Sequence, residues 1–304
     1  MTGASLPAVL GAAGLAASFI ALLAGAGWIK PFFYLPAWGS CLLLLGGLNR
    51  ALFGRSRLLD DPPAALRMGL ISVPWWLFYE ALNVRLRGWE YRDLPAPLWV
   101  RWAGYALAFA TVLPAVLETA DLIEGALPKR QAGRVRRVPP GLLQACTILG
   151  AAFLALPLLW PRVFFPLVWA SVFLMIESLL AREAPEQSWL RSLGEGRPRR
   201  AQALLLSGLA CGLLWEFFNY WAGAKWAYTV PWPKGPKLFE MPALGYLGFP
   251  PFALGCESYY RWFALRWQGA AGSTRLVGAV LLAAASLAAF WAIDAFTVRS
   301  FVQV

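Results

Sequence analysis

Nine apolar runs, each about 20 residues long, alternate with short polar segments along the chain. They cover roughly residues 6–28, 32–53, 66–84, 98–123, 141–160, 164–180, 203–222, 244–263 and 277–296. Coiled as a helix, a run of that length matches the hydrocarbon thickness of a bilayer. A helix also satisfies each backbone N–H and C=O within its own segment, which a bilayer demands. A transmembrane barrel needs short segments of alternating polarity, and residues 203–215 do not alternate. The pattern predicts an all-α, polytopic helical membrane protein of about nine spans, forming a single membrane domain over residues 1–304. Pro74 in the third run, and Pro250 and Pro251 in the eighth, are expected to interrupt or bend their helices. The first run has no basic segment ahead of it and outruns a typical signal peptide, so it reads as a retained first helix.

A longer period underlies the hydropathy. Tyr79-Glu80-Ala81-Leu82-Asn83 matches Trp215-Glu216-Phe217-Phe218-Asn219. Trp89-Glu90-Tyr91 with the later Pro95 matches Trp226-Ala227-Tyr228 with the later Pro231. Gly104-Tyr105 and Glu118 match Gly245-Tyr246 and Glu257, and Phe32, Phe33 and Trp38 match Phe164, Phe165 and Trp169. The offset drifts between about 131 and 141, as expected when loops change length. Two four-helix repeats, approximately 6–127 and 139–267, and one extra helix at 277–296 are predicted. An even helix number leaves both copies in the same orientation, related by an axis along the membrane normal.

Charge then sets the orientation. Of 27 basic residues, 16 fall in the loops after the second, fourth, sixth and eighth runs and 10 on the opposite side. The positive-inside rule puts the N-terminus in the cytoplasm and the C-terminus outside, with the basic loop 129–137 as a topology determinant. The net charge of +11 is spread over short loops without a continuous basic face. Membrane lipids are therefore the expected partners, and no nucleic acid is expected.

Composition removes several chemistries. With 59% hydrophobic and 14% charged residues, no soluble domain is expected. Histidine is absent, which excludes His-based triads, His-ligated zinc and histidine proton shuttles. Cys41, Cys146, Cys211 and Cys256 stand singly in apolar runs and read as buried structural thiols. The chain has no DDxxD, P-loop, GxGxxG or GxSxG motif, so metal-dependent prenyl transfer and nucleotide hydrolysis are disfavoured. Neither a metal nor a cofactor is expected.

What remains is intramembrane acid. Glu80 with Asn83, and Glu216 with Asn219, are each three apart and share a helix face, with Trp76 one turn before Glu80 on the same stripe. Acids inside apolar helices are costly, turn inward, and either exchange protons with a ligand or glue helices together. Glu118 and Glu257 form the second repeated acidic position. Glu257 precedes Arg261 by four, the order that favours an intrahelical ion pair, whereas Glu118 has only Asp121 near it, which makes it the sharper candidate. Glu80, Glu216 and Glu118 are the candidate catalytic acids. Asn83, Asn219, Trp76, Trp89, Tyr91, Trp226, Tyr228 and Glu257 are candidate ligand contacts. Glu177 and Asp294 read as packing or boundary groups. The loops at 85–97 and 223–242 are rich in Trp, Tyr and Pro, with Lys225, Lys234 and Lys237 in the second. They suit either an interfacial aromatic belt or the cap of a cavity for an apolar ligand.

The segments 215–226 and 239–251, with motifs WEFFNYW and FEMPALGYLGFPP, resemble a widespread family of bacterial multispanning membrane proteins with no established activity. The likeness covers most of the chain, including 75–83, and implies the same architecture in a bacterial inner (cytoplasmic) membrane. The chain is also faintly similar to the small membrane-embedded lycopene cyclases, which duplicate helical units and use intramembrane carboxylates. Their Pro-x-Glu-Glu motif is replaced here by Pro114 four residues before an unpaired Glu118. The leading expectation is an intramembrane site between the repeats for an apolar lipid or isoprenoid, served by cofactor-free acid/base chemistry of cyclase or isomerase type. A small proton- or cation-coupled transporter and a structural or assembly subunit are the alternatives. In the leading case Glu80 and Glu216 face one another across the repeat axis, with Asn83 and Asn219 alongside.

Overall fold

The computed structural model describes residues 5–129, 138–230 and 235–304. Its body is helical: α1 (Leu6–Leu23), α2 (Tyr34–Phe53), α3 (Pro62–Leu86), α4 (Leu98–Ala110), α5 (Val112–Ala126), α6 (Pro140–Leu159), the single turn α7 (Pro161–Phe164), α8 (Val168–Glu183), the short α9 (Trp189–Gly194), α10 (Arg199–Trp221), α11 (Phe249–Gly269) and α12 (Gly272–Phe296). Among the described residues six helical stretches are long and apolar enough to cross a membrane: Leu6–Leu23, Leu98–Ala126, Pro140–Leu159, Pro161–Glu183, Arg199–Trp221 and Gly272–Phe296. The fold is consistent with a multi-pass membrane protein. Helices α2, α3 and α11 occupy three further predicted spans. Each is comparably long but interrupted by polar residues: Asn49 and Arg50, then Arg67, Glu80 and Asn83, then Glu257 and Arg261.

The prolines act locally. Pro74 lies inside α3, which runs on unbroken to Leu86. Pro250 and Pro251 bend nothing. They occupy the first turn of α11, where a missing N–H costs no helical bond. A 3₁₀ turn, Ala243–Gly248, precedes them, so the predicted span 244–263 starts as 3₁₀ and continues as α. The predicted span 98–123 is broken at Thr111, three residues before Pro114. The Thr111 hydroxyl donates to the Ala108 carbonyl at 2.6 Å and accepts from Trp38 Nε1 at 2.9 Å, tying the break to α2.

Close packing comes from small residues. A Cβ on Gly47 would lie 2.2 Å from the Ala8 nitrogen, and one on Gly11 would lie 2.4 Å from the Leu44 nitrogen, so α1 and α2 touch backbone to backbone. Farther in, the core is aromatic: Phe33, Trp38, Trp75, Tyr79 and Phe252 are all fully buried. Of the free cysteines, Cys41, Cys211 and Cys256 are buried and Cys146 is half-buried.

The hydropathy pattern did not show three short strand pairings in the loops. β1 (Trp89–Arg92) runs antiparallel to β3 (Lys225–Tyr228), and β2 (Leu94–Pro95) runs parallel to β6 (Phe301–Val302). The third pairs β4 (Lys237–Leu238) with β5 (Met241–Pro242). In the first pair Trp89 stands opposite Tyr228, Glu90 opposite Ala227 and Tyr91 opposite Trp226. The chain segments that follow α3 and α10 therefore meet. Of the basic loop at 129–137 only Lys129 falls among the described residues, and Lys234 of the second aromatic loop lies outside them.

Candidate functional site

Each Glu-x-x-Asn pair sits in the last turns of its helix, and the asparagine sets how the chain leaves. Arg87, with φ 50°, ends α3 in the left-handed region. Asn83 Oδ1 then accepts from the Gly88 and Trp89 amides at 2.8 and 3.2 Å, while its Nδ2 donates to the Trp89 carbonyl at 2.8 Å. Asn219 repeats this on the second strand: Oδ1 accepts from the Trp226 amide at 3.0 Å and Nδ2 donates to the Trp226 carbonyl at 2.9 Å. Both strands are thus pinned back over their own helices. Alternation along a strand then points the Trp and Tyr of each Trp-x-Tyr to one face, toward the glutamate.

The two carboxyls are held alike. Glu80 Oε1 accepts from Trp89 Nε1 at 3.1 Å, Tyr91 OH at 2.5 Å and Trp76 Nε1 at 2.8 Å. Glu216 Oε1 accepts from Trp226 Nε1 at 3.1 Å and Tyr228 OH at 2.7 Å. In both residues Oε2 is closed to water and has no hydrogen-bond partner among the described residues. The difference lies one turn earlier. Where α3 has Trp76, α10 has Gly212, and the Phe249 ring fills that space, 2.2 Å from where a Cβ would be.

A cavity of about 410 Å³ brings the two half-sites together. Trp76, Trp89 and Tyr91 line it from one half and Glu216, Trp226 and Tyr228 from the other. Most of the remaining wall is apolar or aromatic, including Phe109, Phe165, Trp169, Trp215 and Phe249. Glu216 belongs to this wall, whereas Glu80 sits behind Trp76, Trp89 and Tyr91. Asn83 and Asn219 lie behind the strands and hold them. Trp89 and Tyr91 are only 5% and 8% exposed, so these rings turn inward rather than forming a belt. Sequence reasoning missed Arg101, Tyr105 and Trp169 in the wall. Tyr105 and Trp169 were each visible as members of repeated pairs, Gly104-Tyr105 with Gly245-Tyr246 and Trp38 with Trp169.

The other acids are elsewhere. Glu118 accepts from Asn49 Nδ2 at 3.0 Å and from the Arg57 amide at 2.9 Å. Glu257 pairs with Arg261, as its spacing suggests, and also with Arg200. Arg200 reaches across to Asp121 at 2.7 Å and Glu124 at 3.0 Å, and Arg57 joins Asp121. This is a separate cluster that ties α5 to α10 and α11, and neither Glu118 nor Glu257 lines the cavity. Glu177 accepts from Ser258 at 2.7 Å, from Ser188 and from the Leu190 amide at 2.9 Å. Asp294 holds Arg101 through two bonds of 2.8 Å and accepts from Trp102 and Tyr105 at 2.9 Å.

The strand layer is itself clamped. Glu90 accepts from Arg299 at 2.8 Å and from Arg92 at 2.7 and 2.9 Å. Partial burial opposes ionisation of Glu90, but these hydrogen bonds outweigh it and hold the carboxyl below the usual carboxylate range. Among the described residues no group of three or more His, Cys, Asp or Glu is placed to hold a metal ion. No protein-family model, curated protein or solved structure matches this chain.

Proposed function

We propose that this chain is a nine-span protein of the bacterial inner membrane, built from two parallel repeats with its N-terminus in the cytoplasm. In this reading it holds an apolar lipid or isoprenoid in the cavity and acts on it by proton transfer at Glu216. One observation carries the reading. Glu216 stands in the wall of a largely apolar, aromatic-rich cavity, with two donors on Oε1 and none on Oε2. That division suits a neutral carboxyl, whose carbonyl oxygen accepts while its hydroxyl oxygen keeps the proton. Kinship with the bacterial multispanning family is part of the same proposal and rests on the motifs at 215–226 and 239–251.

The chemistry needs no cofactor. Rotation of the Glu216 side chain first turns Oε2 from its enclosed position into the cavity. The Oε2–H bond then breaks and its proton joins one carbon of a C=C, whose π electrons form the new C–H bond. The neighbouring carbon becomes cationic, and the faces of Trp169, Trp215 and Trp226 in the wall are the kind of surface that stabilises a cation. Tyr228 O–H and Trp226 N–H already point at the carboxyl and strengthen as it turns negative. The carboxylate then removes a proton from an adjacent carbon. The alkene re-forms at a shifted position, or within a ring if a second C=C attacked the cation first, and Glu216 regains its proton.

The test is isotopic. Protein in nanodiscs is expected to retain a polyprenyl chain through lipid extraction and mass spectrometry, and to exchange its vinylic or allylic hydrogens with D₂O. Glu216→Gln keeps size and most hydrogen bonding, so retention should persist while exchange falls by about 100-fold or more. Wild-type protein with neither retention nor exchange would sink the reading. A second reading, a small proton- or cation-coupled transporter, draws on the ion-pair cluster around Arg200, a set of buried charges apart from the cavity. Ligand-driven proton flux in liposomes would identify it.

A further inference from the structure

The cavity wall is covered unequally on its two sides. On the α4 side, α12 lies across the outside. The Phe290 ring packs on Trp102, Tyr105 and Phe109 with centroids 5.9, 5.6 and 6.3 Å apart, and Asp294 binds Arg101 and Tyr105. Arg101 and Tyr105 are themselves wall residues, so α12 backs that part of the wall, while Val100, Gly104 and Ala108 beside them stay half-buried. The matching position in the other half is the 3₁₀ turn Ala243–Gly248, where Gly245-Tyr246 corresponds to Gly104-Tyr105. There Leu244 and Leu247 line the cavity, yet they are 60% and 67% exposed. Side chains that both line a cavity and face outward form its rim. The turn is also tight on its inner side, because a Cβ on Gly248 would approach the Trp169 ring to 2.9 Å. A larger residue there would narrow the opening.

We propose that Leu244 and Leu247 rim a sideways mouth onto the bilayer. Through it the site takes, end first, a linear apolar chain that is dissolved in the membrane and longer than the cavity. This rests on reading the cavity as a site for an apolar molecule. An apolar rim offers nothing to replace the hydration of a polar ligand, whereas a hydrocarbon passes from lipid to protein without losing hydrogen bonds. The size points the same way. Pockets of roughly 300–1,000 Å³ hold drug-sized ligands, so the cavity of about 410 Å³ holds one segment of a long polyprenyl chain. The rest stays in the hydrocarbon. Entering end first from this rim, the chain presents to Glu216 a C=C near its end.

Two photoreactive probes separate the possibilities: a C40 polyprenyl chain carrying a diazirine at its terminus, and the same chain with the diazirine at mid-length. Each is irradiated with the protein in nanodiscs and the adducts are mapped by mass spectrometry. The terminal probe is expected on cavity residues such as Trp169 and Phe249, and the mid-length probe on residues 244–248. Leu247→Trp, a change at an exposed position, should lower terminal labelling by about tenfold. Mid-length adducts on α4 and α12 instead would overturn the mouth while leaving the cavity reading intact. So would undiminished labelling of Leu247→Trp. Absence of cavity adducts from either probe would remove the cavity reading and this inference with it.

Discussion

One turn before Glu80 stands Trp76, and one turn before Glu216 stands Gly212. From that single difference one carboxyl gains a third donor behind an indole, while the other is left in the cavity wall with Phe249 beside it. The two acids should respond differently to substitution. Glu80→Leu leaves Trp76, Trp89 and Tyr91 without their acceptor. At about 0.6 kcal/mol for each hydrogen bond in a membrane protein, the expected loss is on the order of 2 kcal/mol. Glu80→Gln keeps an acceptor oxygen and should cost less than about 0.5 kcal/mol. Unfolding in mixed micelles measures both, and equal losses for Leu and Gln would contradict this account. The Glu-x-x-Asn pairs were legible because the same spacing, followed by Trp-x-Tyr, occurs twice in the sequence. What the asparagines do was not, because their partners are backbone groups that meet them only once the strand has folded back. Glu118 shows the opposite difficulty. With no cation near it in sequence it looked unpaired, but its neighbours Asn49 and Arg57 come from 69 and 61 residues away.

At the scale of elements, the aromatic loops held the largest surprise. Their Trp and Tyr suit a membrane interface equally well, and a four-residue strand whose partner lies more than 130 residues away leaves no periodic trace. The belt role is better met by Trp28, Trp99, Trp160 and Trp291, which are exposed near helix ends. The strand layer carries a pH-dependent clamp. Glu90 is held below the ordinary carboxylate value of about 4.3 by Arg299 and Arg92. A depressed folded value adds stability that is complete above the ordinary one and is lost as pH falls through the folded one. As pH falls below the ordinary carboxylate value of about 4.3, amide exchange in residues 298–302 should therefore rise relative to its intrinsic chemical rate. Glu90→Gln should show fast exchange already at neutral pH. A wild-type exchange rate that tracks only the intrinsic chemical rate over this range would refute the clamp.

For the molecule as a whole, each apolar run falls on a long helix or helix pair among the described residues, and six of these stretches are long and apolar enough to cross a membrane. The breaks were less legible. Pro250 and Pro251 looked like kinks but opened a helix, and Thr111 interrupted a run whose hydropathy is continuous. The proposed orientation rests on the 16-to-10 division of basic residues. Reporter fusions at Gly133 and Gly235 should therefore report the cytoplasm and the outside respectively. The same side for both would reject it.

The register of β1 against β3 has one more consequence. Trp89 faces Tyr228 while Tyr91 faces Trp226, so the two strands exchange roles under a half-turn centred on Glu90 and Ala227. A contact of that kind is isologous and needs only one sort of surface. On the proposed repeat, a half-length ancestor would already have possessed what it needed to assemble with a copy of itself. Fusion into one polypeptide would then have released each half to change alone. Ala227 now stands where its counterpart is Glu90, so only one half keeps the carboxylate that Arg299 grips.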